Sequence, residues 1–143
     1  MLGNKRYDEA SEFLQKNGLR FSRQRMIVIS ELFFNSENQR HFYISDLLEK
    51  INKDHQNIDM SLASLTHILK GLSFLGYIKQ IYANKLYYDT VTSPHFHLYD
   101  ENEDRLIDII DTEKMDYLKK NLSLIPGYSL KGINCIFQIE KNS

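Results

Sequence analysis

At 143 residues, 42% of them hydrophobic, the chain has room for one medium domain or two small ones and enough apolar content to bury a core. No apolar run approaches bilayer-crossing length, and the opening MLGNKRYDEASEF carries no apolar signal core, so a cytoplasmic protein with no membrane partner is expected. The single Cys135 excludes an internal disulfide and a thiolate zinc site, and its apolar neighbours in GINCIFQIE suit a buried, inert thiol.

The formal net charge of −1 is unevenly spread. Leu14–Arg25 holds Lys16, Arg20, Arg23 and Arg25 with no acid, whereas nine acids face six bases from Val91 onward. One end of the chain can therefore approach phosphate while the other stays away.

In chain order, residues 8–17 (DEASEFLQKN) predict a short amphipathic helix ended by Gly18. Ser22 can cap a second helix with an apolar stripe of Met26, Ile29, Leu32 and Phe33. ISDLLEKINKD repeats the pattern, with Ser45 as the cap and Leu47, Leu48 and Ile51 inward. His55, in NKDHQN, reads as a solvated loop residue. Ser61 caps LASLTHILKGLSFLG, whose Leu62, Leu65, Leu69 and Leu72 fall on one helical face. Its open face shows Ser64, His67 and Lys70, with Thr66 at the margin and no acid, which suits a DNA groove or a plain surface helix.

GYIKQIYANKLYYD reads as a hairpin turning near Ala83–Lys85. Four helices and a two-stranded wing are the element order of a winged helix-turn-helix. TVTSP, with Pro94, breaks the pattern. Beyond it come a strand, a turn, a strand, a helix over 112–123 and a strand over 130–139, a unit small enough to favour pairing with its twin. The predicted fold class is α+β: a winged helix-turn-helix domain over 1–89, a hinge over 90–94, and a small α/β dimerisation domain over 95–143.

The stretch SPHFHLYDENEDRLID carries H-x-H and a later aspartate. A turn centred between Asn102 and Glu103 opposes His97 to Asp108, Leu98 to Ile107 and Phe96 to Ile109. Only this parity gathers Phe96, Leu98, Ile107 and Ile109 on one face, leaving His95, His97 and Asp108 together on the other. Two imidazoles and a carboxylate suit Fe(II), Mn(II) or Zn(II) by ligand type; the plain alternative is a solvated histidine pair.

Taken together, GLRFSRQR, HFYISDLLEKI, SLASLTHILKGLSFLGYI and YYDTVTSPHFHLYDENEDRLIDI resemble the ferric uptake regulator superfamily of metal-responsive bacterial repressors. The last run is most similar to the iron-response regulator subgroup, and its ligand spacing to the peroxide sensors. The resemblance implies a homodimeric repressor of operator DNA, not an enzyme, with a regulatory metal on His41, Asp89, His95, His97 and Asp108. His41 would come from the start of the third helix and Asp89 from the end of the wing. Fe(II) or Mn(II) is the implied ion, with Zn(II) a further candidate. Oxidation of His41 or His95 by peroxide at bound Fe(II) is one implied mode of sensing, and direct metal sensing is the other.

The implied DNA-contacting residues are Lys16, Arg20, Arg23, Arg25, Ser61, Ser64, Thr66, His67 and Lys70. The departures are specific. Asp100 and Glu103 stand where relatives keep a C-x-x-C, and the tail lacks the second cysteine pair, so no structural zinc held by cysteines is expected. Cys135 is followed by Ile136 rather than proline, so haem could act only through histidines. Ser64-Leu65-Thr66-His67 replaces the family's Thr-Val-Tyr-Arg, which implies an altered operator. Two competing readings are a DNA-binding or protein-interaction module with a vestigial metal site, and a small metalloenzyme using Asp108 or Glu101 as base.

Overall fold

The computed structural model describes residues 2–35, 41–55, 57–93, 95–109, 112–121, 126–128 and 135–142. The chain divides into two compact units, Met1–Thr92 and Ser93–Ser143, with the division inside the expected 90–94 connection. Pro94, residues 122–123 of the expected last helix and 130–134 of the expected last strand lie outside the described residues.

In the first unit, α1 (Leu2–Lys16) starts well before the expected residue 8 and ends before Gly18, whose φ of +66° is tolerated because glycine has no Cβ. The α2 helix (Arg23–Phe33) is capped by Ser22, whose hydroxyl accepts from the Arg25 amide. Next come β1 (His41–Tyr43) and α3 (Ile44–Asp54). Two expectations are corrected here. His41 lies in a strand rather than at a helix start, and Ser45 caps nothing. Strand β1 feeds directly into the helix, so Tyr43 takes the cap position without a side-chain bond. Three strand residues are too few to show an alternating pattern in sequence.

Ser61 caps α4 (Leu62–Phe74), which leads into β2 (Lys79–Tyr82) and β3 (Leu86–Asp89). The three strands form an antiparallel sheet in the order β1-β3-β2. The helices pack around Leu14, Ile29, Leu32, Leu47, Ile51, Leu65 and Leu69, all essentially solvent-free. Each such side chain contributes roughly 1.5–3 kcal/mol on burial. Ile68 joins this core, whereas Leu62, expected in the same stripe, is 51% exposed.

His55 is also corrected: it is buried, not solvated. Its Nε2 donates to Glu31 Oε1 at 2.8 Å, and the Tyr7 hydroxyl meets its Nδ1. Asn35 Nδ2 donates to the other Glu31 oxygen at 2.8 Å, and Arg6 stands 3.8 Å away. The network joins α1, α2 and the end of α3.

In the second unit, β4 (Phe96–Asp100) and β5 (Arg105–Ile109) form an antiparallel hairpin. The helix α5 (Thr112–Asn121) follows, and β6 (Ile136–Ile139) pairs with β4 in parallel, giving the order β5-β4-β6. Phe96 and Phe137 meet edge to face at 5.8 Å between centroids. They line an apolar groove of about 550 Å³ with Ile109 and Tyr117. Cys135 is half-buried, and its carbonyl accepts from the His97 amide at 3.2 Å.

Candidate metal and nucleic-acid sites

In the first unit the metal-ligand candidates come from a cross-strand pair. The β1–β3 register sets His41 directly opposite Asp89, and directly opposed side chains share a sheet face. His41 Nε2 lies 3.5 Å from Asp89 Oδ2, and Asp89 is fully buried. The other carboxylate oxygen accepts from the Val91 amide at 2.8 Å, which fixes the rotamer as the chain leaves the wing. Lys79 flanks Asp89 from β2.

In the second unit the hairpin pairs Phe96 with Ile109, His97 with Asp108 and Leu98 with Ile107, the register expected from strand parity. Asp108 Oδ1 lies 3.1 Å from His95 Nε2 and 3.3 Å from His97 Nε2. The two rings stand 4.3 Å apart, both buried, and the three ligating groups lie within 4.8 Å of one another. His95 Nδ1 is 2.6 Å from the Ser93 carbonyl. A carbonyl can only accept, so Nδ1 carries its proton and Nε2 is the nitrogen that could coordinate an ion. Electron-pair donors that converge in this way are stabilised by a cation or proton between them. Nitrogen and oxygen donors suit Fe(II), Mn(II) or Zn(II) rather than a thiophilic ion. Asp100, in the place of a zinc cysteine, turns the hairpin instead. One of its oxygens accepts from the Asn102 and Glu103 amides.

The cationic candidates all belong to the first unit. Lys16 is the exposed last residue of α1, Arg20 and Arg23 are exposed, and Arg25 is half-buried and donates to the Arg20 carbonyl at 3.1 Å. His67 and Lys70 are exposed on α4. Arg20, Arg25, Ser64 and His67 line one concavity of about 500 Å³ between the N-terminal ends of α2 and α4. Ser61 and Thr66 are already engaged within α4. Ser61 Oγ accepts from the Ser64 amide and donates to Ser64 Oγ, and Thr66 Oγ1 donates to the Leu62 carbonyl at 2.7 Å. Sequence reasoning missed two exposed apolar side chains, Phe21, which lines this concavity, and Leu62 at the start of α4.

Residues 16–135 match the ferric uptake regulator family. The chain is a member of that family. Its members are metal-responsive transcription regulators rather than enzymes, and the chain is a regulator of this kind. The ferric uptake regulator of Pseudomonas aeruginosa, solved with manganese, superposes with a TM-score of 0.75 at 19% identity, over 94% of this chain and 98% of its own. The Campylobacter jejuni peroxide stress regulator gives 0.57 at 21% identity, over 73% and 78%. A zinc uptake regulator complexed with zinc and DNA gives 0.59 at 11%, over 96% and 91%. At these identities the likeness shows the shared fold alone. No curated protein matches the chain. Among the described residues, no helix is long and apolar enough to cross a membrane.

Proposed function

We propose that this regulator is a homodimer that binds operator DNA through its winged helix and takes one regulatory divalent ion per chain on His41, Asp89, His95, His97 and Asp108. Fe(II) or Mn(II) is the proposed ion, with Zn(II) as a competitor, because the donor set has no thiolate. The observation that carries the reading is the pair of cross-strand arrangements, His41 with Asp89 in one unit and His97 with Asp108 in the other. Register brings carboxylate and imidazole to one face in each unit, so each supplies part of a ligand set.

Ligands drawn from two units bind an ion well only when the units stand at one angle. Occupancy then shifts the population toward that angle, and DNA affinity follows by linkage. Lys16 and the nearby arginines would engage phosphate or the minor groove, while α4 enters the major groove. Dimerisation through the second unit is supported by its apolar groove and by the edge position of β6, where Phe137 is 49% exposed.

Mn(II) titration calorimetry tests the shared ion. One tight event per chain is expected in the parent, weakened at least tenfold by either Asp89→Asn or His97→Ala, each in a different unit. Two independent events, each lost in only one variant, would contradict the shared site.

A further inference from the structure

A crevice of about 180 Å³ opens between α1, α2 and α4 in the first unit. Leu14, Leu19, Ile29 and Leu72 wall it, and all but Leu19 are buried. Arg20, Arg25 and His67 line both this crevice and the wider concavity beside it, so they stand where the two meet. Arg25 Nη1 donates to the Arg20 carbonyl at 3.1 Å, which orients the guanidinium and leaves its other N–H donors for a ligand. Among the described residues, no carboxylate lines either hollow. Gly71, within α4, also lines the crevice, and a Cβ added there would meet no atom within 4 Å. Glycine weakens a helix relative to alanine, and packing within the chain gives no reason for it here. What it provides is bare helix backbone that a bound molecule can approach.

We propose that this crevice binds a small monocarboxylate with an apolar body, and that its occupant competes with DNA. An apolar body fits the leucine and isoleucine walls, and a carboxylate fits paired guanidinium groups at the open end. Size sets the class: an apolar cavity of roughly 150 Å³ accepts benzene, so an aryl ring or a short alkyl chain fills this one. The bound carboxylate occupies cations that the DNA reading assigns to phosphate. Ligand and duplex therefore exclude each other, and the effector acts without touching the metal ligands. Binding in the crevice stands apart from the DNA reading, whereas the competition rests on it.

The test titrates the full Zn(II)-loaded chain with benzoate and hexanoate, followed by amide NMR. Each should bind with a dissociation constant on the order of 1 mM and shift the amides of Leu19, His67 and Gly71. Stronger binding of benzoate would mark an aryl acid, and of hexanoate a fatty acid. Acetate lacks the apolar body and benzamide the charge, so both should bind at least threefold more weakly. Gly71→Met fills the crevice and should weaken binding at least tenfold while melting no lower than the parent, since methionine favours a helix over glycine. Arg20→Gln should weaken it about three- to fivefold, the range of an exposed ion pair. Saturating benzoate should weaken the parent's affinity for a selected duplex and leave that of Gly71→Met unchanged. Acetate binding as tightly as benzoate, shifts confined to His95 and His97, or full affinity in Gly71→Met would overturn the site. Binding in the crevice with unchanged affinity for a selected duplex overturns the competition and leaves the DNA reading intact. Failure to select any duplex overturns the DNA reading and the competition with it, while the NMR titration still decides the site.

Discussion

Glu31 shows how much one residue can organise without touching a ligand. Burial alone would push its carboxyl up, but hydrogen bonds from His55 and Asn35, with the charges of His55 and Arg6, outweigh that and hold it below the usual range. A carboxyl lowered in the folded state contributes stability that is present above its unfolded value, about 4.3, and lost as pH falls through the folded value. Urea unfolding should therefore show a loss of stability below about pH 4 that Glu31→Gln flattens. Glu31→Ala should cost about 3–5 kcal/mol at pH 7, because it strands His55 and Asn35 in the core. A change under about 1 kcal/mol would rule out this anchoring role. None of this was legible in the sequence. His55 pairs with Glu31 across 24 residues and two elements, and local polarity around NKDHQN pointed to solvent. His97 and Asp108 were legible because strand parity alone decides which side chains share a face.

At the scale of elements, a helix's period gives the direction of its side chains but not how far it projects past its neighbours. Leu62 has the spacing of Leu65 and Leu69 yet lies at the helix start, beyond the core those two reach. The cap, by contrast, was readable, since Ser61 directly precedes the periodic run and accepts from the Ser64 amide as expected. Ser61→Ala should cost about 1 kcal/mol in a denaturation curve. Ser61→Asp should keep that stability while weakening DNA binding, because it sets a negative charge on the turn proposed to face the groove. Equal DNA affinity in the aspartate variant would place this turn away from DNA. Strand β1 escaped the sequence reading because three residues carry no periodicity. The resemblance joined His41 to Asp89 only as metal ligands, and the strand pair that sets them opposite each other came from the structure.

For the whole molecule, two units of separate core and charge character sit on one chain, basic toward the start and acidic toward the end. Motif order over most of the chain made the family legible, and the family match over 16–135 agrees. The operator was not legible, because the residues that usually read it are replaced by Ser64, Thr66 and His67, and hydroxyls on this turn bond within the helix rather than outward. Asp100 makes the hairpin turn where relatives keep a cysteine pair, and we propose that packing rather than a cysteine-held zinc holds the second unit together. The central claim is that one ion couples the winged helix to the second unit. Its most direct test is the affinity of parent and His97→Ala for a selected duplex, with and without Mn(II). Mn(II) should change the parent's affinity by about fivefold or more, within the usual range of allosteric coupling, and leave that of His97→Ala unchanged. An equal Mn(II) response in the two proteins would contradict the claim.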